Sequence, residues 1–88
     1  MELADTIGVE ERLTDFVSKA FLTGGRKTRI TPETSLLENR VVDSLGILEI
    51  IEFMEQEFGI TVEESDMVPE NLDSIDKMSR FIKVKVEG

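Results

Sequence analysis

Apolar residues recur with a helical period in three stretches of the 88-residue chain. The first runs from about Ile7 to Leu22, where Leu13, Phe16, Val17, Ala20 and Phe21 share one face. Glu10 and Glu11 fall in its early turns, where the helix dipole favours negative charge, and Gly24-Gly25 is expected to end it. The second runs from about Ser44 to Phe58, with Asp43 placed to cap it and Gly59 to close it. At about 100° per residue, Ile47, Ile51, Met54 and Phe58 form its core face. Leu45, Glu49, Glu52 and Gln56 lie opposite, with Phe53 at the margin. The third begins near Asp73 or Ser74 and turns Ile75, Met78, Phe81 and Ile82 inward. Asp73-Ser74-Ile75-Asp76 has the form of a capping box with Asp in the Glu position, and Lys83 and Lys85 suit the last turns.

Between the first two stretches, residues 24 to 42 form a long connection of the kind that is often functional. Thr31-Pro32 marks a turn or one short helical turn, and Leu36, Leu37, Val41 and Val42 are expected to pin the connection to the core. Ile60 and Val62 flank Thr61 in a segment too short for a sheet, which reads as an extended loop with both apolar side chains inward. Ser65 to Val68 is expected to make a short helical turn before Pro69. There is no repeat, no low-complexity tract and no second domain, so residues 1–88 read as a single all-α domain.

Charge changes this picture. The net charge is −9, and it is unevenly placed. Met1 to Arg40 carries seven acidic and six basic side chains, Val41 to Asp76 eleven acidic and none basic, and Lys77 to Gly88 four basic and one acidic. A chain of this kind repels nucleic acid and anionic membranes and attracts basic protein surfaces. The acidic middle is either a solvated face or a docking surface for cationic partners. No apolar run has the length of a membrane span and Met1 to Asp5 lacks the layout of a signal peptide, so the cytoplasm is the simplest location.

Composition removes whole classes of chemistry. With no cysteine there is no disulfide and no thiolate metal site, and with no histidine the commonest general base is missing. A hydrolase with paired carboxylates needs a cleft that so small a helical domain rarely encloses. Residues 63 to 76 are acidic but lack the ligand spacing and central glycine of an EF-hand loop. Gly24-Gly25-Arg26-Lys27-Thr28 lacks the spacing of a phosphate loop. Neither a catalytic residue nor a metal site is expected. What remains is Asp43-Ser44-Leu45-Gly46 at the start of the acidic helix. Plain capping accounts for a serine there, but a phosphate esterified to its oxygen would also lie where free N–H groups and the dipole favour an anion.

Val41-Val42-Asp43-Ser44-Leu45-Gly46, then Glu49, then Glu55-Gln56-Glu57-Phe58-Gly59-Ile60, resemble the central helix of acyl carrier proteins. Thr34-Ser35-Leu36-Leu37 upstream and Pro69-Glu70-Asn71-Leu72-Asp73-Ser74-Ile75 downstream are similar too, so the resemblance covers nearly the whole chain in order. It implies a bundle of three main helices and one short one. It further implies that Ser44, flanked by Asp43 and Leu45, takes 4'-phosphopantetheine from coenzyme A through a separate magnesium-dependent phosphopantetheinyl transferase. The thiol of that arm would then hold an acyl or aminoacyl group as a thioester. Partners would be that transferase and a loading ligase or synthase with a basic docking surface, meeting a monomeric carrier; the helical wheel, rather than the resemblance, puts the docking face at Leu45, Glu49, Glu52, Phe53 and Gln56. Two positions depart from the commonest fatty-acid pattern: Arg40 stands where many carriers have glycine, and Gly46 where they have aspartate. Glycine there is similar to aminoacyl carriers and to carriers of specialised biosynthetic clusters. The competing reading is a cofactor-free acidic interaction module, and a small enzyme ranks last.

Overall fold

The computed structural model describes residues 6–22 and 30–87. They form α1 (Thr6–Phe21), α2 (Ser44–Phe58), a 3₁₀ turn at Glu64–Asp66, the one-turn α3 (Pro69–Leu72) and α4 (Ile75–Glu87). This is the expected all-helical bundle of three main helices and one short one. Gly24-Gly25, expected to stop α1, and the segment to Thr28 lie outside the described residues; α1 itself ends at Phe21. No helix among those described is long and apolar enough to cross a membrane.

The core joins all three main helices. Leu13 and Val17 of α1, Ile50 and Met54 of α2, and Ile75, Met78 and Ile82 of α4 are buried together with Leu36, Val41, Val42, Val62 and Leu72. α1 packs mainly on α4. Its buried stripe is Val9, Leu13 and Val17, with Phe16 and Phe21 half-buried against the core. Ala20, expected inward, is exposed, because the stripe advances by four residues and leaves position 20 at its edge.

The buried face of α2 is wider than the predicted stripe and rotated from it. Gly46 and Ile50 are buried beside Ile51 and Met54, whereas Ile47 and Phe58 are half-buried. The cause is α1, whose aromatic side covers that flank. Phe16 stacks on Phe53 at 4.2 Å between ring centroids, and Phe53 meets Phe58 edge-on at 6.0 Å. Arg12 of α1 closes the far end, pairing with Glu57 at 3.0 Å and lying 5.9 Å above the Phe58 ring.

The caps of α2 follow the sequence. Asp43 has extended backbone angles and its carboxylate accepts the Gly46 N–H at 2.9 Å. Gly59 sits at φ 67°, where a side chain would be strained, and its N–H donates to the Glu55 carbonyl. The connection after α2 runs extended, with Val62 buried and Ile60 packed against the core. The Val62 N–H is taken up by the Glu55 carboxylate at 2.9 Å.

The segment before α4 departs from expectation. The helical turn expected at Ser65 to Val68 is instead the 3₁₀ turn at Glu64–Asp66, and a second turn, α3, starts on Pro69 rather than stopping before it. Proline is suited to that first position, since its missing N–H would have no helical partner there. The capping box occurs at the 3₁₀ turn, between Glu63 and Asp66. At α4 the cap is Ser74 alone, whose hydroxyl accepts the Lys77 N–H at 3.1 Å. Asp73 is drawn elsewhere, toward the loop that precedes α2.

The acidic middle is less isolated than its sequence suggests. Glu57 meets Arg12, Asp66 meets Lys85 at 2.8 Å, and Asp76 meets Arg80 at 2.8 Å, so cations from α1 and α4 reach into it.

Candidate functional site

The site is built from the connection that delivers the chain into α2. Thr31 to Thr34 makes the turn expected at Pro32, closed by the Thr34 N–H on the Thr31 carbonyl at 3.1 Å. Leu36 is wholly buried and anchors the residues after it. Its carbonyl accepts the N–H groups of Val41 and Val42 at 2.9 and 3.3 Å, folding 36–42 into a compact loop. Leu37, expected to share the anchoring, is instead exposed at the surface of this loop. Arg40 closes the loop at φ 58°, in the left-handed region. A glycine here, without a Cβ, would take up this conformation without strain.

Asp73 ties the loop to the turn between α3 and α4. The Ser35 hydroxyl donates to one carboxylate oxygen at 2.6 Å and the Leu37 N–H to the other at 2.9 Å. Its carbonyl accepts the Leu36 N–H at 2.7 Å, and the Asp76 N–H donates to the Pro32 carbonyl at 2.8 Å. These bonds join residues about forty positions apart. Periodicity missed the role of Asp73 because it assigned the residue to a helix cap.

Val41 and Val42 are buried next, Asp43 caps, and Ser44 opens α2 with its side chain exposed. The helical ladder begins with the Ile47 N–H on the Asp43 carbonyl at 2.9 Å, and the Gly46 N–H is taken by the Asp43 carboxylate. The N–H groups of Ser44 and Leu45 precede that ladder, as the first donors of any helix do, so the end facing Ser44 is suited to an anion. Leu45 is 72% exposed and Leu48 54% exposed. With Glu49, Glu52 and Glu55 they line a shallow groove along α2. Gln56 is exposed farther along the helix. The helix has no basic residue in its last turn, where Glu55 and Glu57 stand against the dipole.

Of the residues expected at the docking face, Leu45, Glu49, Glu52 and Gln56 are exposed. Phe53 is the exception. Its ring is half-buried and stacked on Phe16, which makes it part of the α1–α2 packing. The exposed apolar partner of Leu45 is Leu48, which the helical wheel left unassigned.

The site is a capped helix that opens on an exposed serine, held by a loop pinned on both sides, an arrangement in keeping with a carrier domain. Among the described residues no group of three or more acidic side chains is arranged to hold a metal ion. The sequence profile of the phosphopantetheine attachment site matches residues 23–82. An acyl carrier protein from Nitratidesulfovibrio vulgaris (strain DSM 19637 / Miyazaki F) is 33% identical over 60 residues, covering 68% of this chain and 76% of its own length. A probable acyl carrier protein, PigG, from Serratia sp. (strain ATCC 39006) is 25% identical over 75 residues, 85% of each chain. The chain belongs to the phosphopantetheine-binding acyl carrier protein family. Its cofactor is phosphopantetheine, and as a carrier it is not itself a catalyst.

Proposed function

We propose that Ser44 carries the 4'-phosphopantetheine arm and that the protein presents acyl or aminoacyl groups, as thioesters on that arm, to partner enzymes. The observation that carries the reading is the state of the hydroxyls within the matched stretch. Ser44 is exposed at the first position of α2, whereas the Ser35 hydroxyl is held by Asp73, the Ser74 hydroxyl caps α4 and Ser79 is buried; Ser65, also exposed, lies inside the 3₁₀ turn and opens no main helix. In the transfer the Ser44 oxygen loses its proton and bonds to the phosphorus that links the arm to the nucleotide of coenzyme A, and the nucleotide leaves. The bound arm supplies the thiol that this cysteine-free chain lacks.

Partners approach along α2. Leu45 and Leu48 offer an apolar contact, and Glu49 and Glu52 a negative rim, which suits a transferase or loading enzyme with basic residues around an apolar pocket. Gly46 favours an aminoacyl or specialised carrier over a housekeeping role in fatty acid synthesis, and a cytoplasmic monomer goes with this reading. Intact mass after incubation with a phosphopantetheinyl transferase, magnesium and coenzyme A tests it. One arm per chain is expected, mapped to Ser44, and none on Ser44→Ala. An alanine variant that still accepts the arm would refute the assignment.

A further inference from the structure

The first turn of α2 is held from outside by a ring. A Cβ built on Gly46 would lie 3.0 Å from Phe21 Cε1, 3.3 Å from Phe21 Cζ and 3.1 Å from Val42 Cβ. The last residue of α1 thus lays its ring over bare backbone at the third position of α2, an approach that any side chain at position 46 would obstruct. The ring is braced. Phe16 meets it edge-on at 6.2 Å and stacks in turn on Phe53 of α2. Gly46 is also the residue whose N–H the Asp43 carboxylate accepts. Ser44 lies between the two ends of that bond, so what fixes Gly46 constrains the backbone that carries the serine.

We propose that Phe21 is a positioning residue for Ser44, and that glycine stands at position 46 because this ring occupies the space of its side chain. Resting on the reading that Ser44 takes the arm, the proposal adds the end of α1 to the parts that govern transfer. It also gives the departure from aspartate a steric cause. A carboxylate at 46 would have to displace the ring and enter a buried position.

The two residues are tested as a size-matched pair. Phe21→Ala removes the ring; Gly46→Ala forces a Cβ against it. Phe21→Leu lacks the Cε and Cζ atoms that a Cβ at 46 would strike, leaving the Val42 contact to adjust by a few tenths of an ångström. The measurements are the rate of arm transfer under sub-saturating carrier and hydrogen exchange of the Gly46 amide. Ile82→Val, a core change in α4, serves as a control for general loss of stability. Phe21→Ala and Gly46→Ala are expected to slow transfer on the order of tenfold, as small misplacements of a reacting group do, and to speed Gly46 exchange. Adding Phe21→Leu to Gly46→Ala should recover most of the lost rate. Ile82→Val should lower the thermal midpoint without either effect. Rates that fall only as the midpoint falls, or a double variant slower than Gly46→Ala alone, would overturn the proposal. If Ser44→Ala still accepts the arm, the serine assignment fails instead, a result separate from the exchange of Gly46.

Discussion

Removing the Asp73 carboxylate should release the loop that delivers Ser44 while leaving the helices formed. Asp73 takes one bond from the Ser35 hydroxyl at 2.6 Å and one from the Leu37 N–H at 2.9 Å, at a half-buried position. Hydrogen bonds to a charged group contribute about 1.5–3 kcal/mol each, and two that share one carboxylate are not additive, so Asp73→Ala is expected to cost about 2–4 kcal/mol. For a domain of this size that is a fall in midpoint of roughly 4–8 °C per kcal/mol. Asp73→Asn keeps an oxygen for Leu37 but cannot accept from Ser35 with its amide nitrogen, and should cost about 1 kcal/mol. Urea titration of Asp73→Ala, Ser35→Ala and the double variant measures the coupling, expected at about 1–2 kcal/mol. Amide exchange should speed at residues 35 to 42 before it does in α4. An Asp73→Ala variant within about 0.5 kcal/mol of wild type, with unchanged exchange in the loop, would refute the reasoning. The burial of Leu36 and the backbone bonds would then hold the loop alone.

Other changes separate further terms. Ser79 Oγ is buried in α4 and has no hydrogen-bond partner among the described residues, so Ser79→Ala should raise stability by about 1 kcal/mol in thermal or urea unfolding; a loss would show that the hydroxyl is satisfied. Glu49→Lys with Glu52→Lys should slow arm transfer at low salt without changing the circular dichroism, and moderate salt should slow the wild type more than this variant. Equal rates at both ionic strengths would mean that the face is merely solvated. Lys85→Met removes the tie between α4 and the 3₁₀ turn. The Lys85 hydrogen bond, then the Glu63 N–H, hold Asp66 below its ordinary value of 3.8, and the bond to Asp66 holds Lys85 above its ordinary 10.5. The pair's contribution is therefore present between those ordinary values. It is lost as pH falls through the lowered value of Asp66 or rises through the raised value of Lys85. The stability difference between wild type and variant should be flat across that window and shrink beyond either end; a difference that changes near neutral pH would assign it to other groups.

The three main helices were legible because each carries a strong apolar period and α2 carries unambiguous caps in Asp43 and Gly59. Ser44 and its exposed neighbours Leu45, Glu49 and Glu52 were legible for the same reason: once α2 is placed, the wheel places them. What periodicity did not reach was contact between elements. Phe53 is marginal on its own wheel, and only its stacking on Phe16 shows that the ring belongs to the packing of α1 on α2. Asp73 looked like a cap because local pattern weighs the next three residues and not Ser35, thirty-eight positions back. Gly46 was visible as a departure from the fatty-acid pattern, but its cause is a ring that sequence cannot bring near it. The position of Arg40 was noticed, but its left-handed backbone was not.

The bonds that hold the loop also order events in the making of the chain. Ser44 is synthesised well before Asp73 and Asp76, which lie twenty-nine and thirty-two residues further on. Until both have left the ribosome, the Leu36 N–H and the Pro32 carbonyl lack the partners they have in the folded protein. A nascent chain can expose the hydroxyl of Ser44 but cannot yet present it in the geometry of the finished site. If a transferase recognises that geometry, arm transfer waits for the segment that carries Asp73 and Asp76, and chains that lack it are not loaded. The long-range tie then makes presentation of Ser44 depend on the turn before α4, and it does so without any added signal.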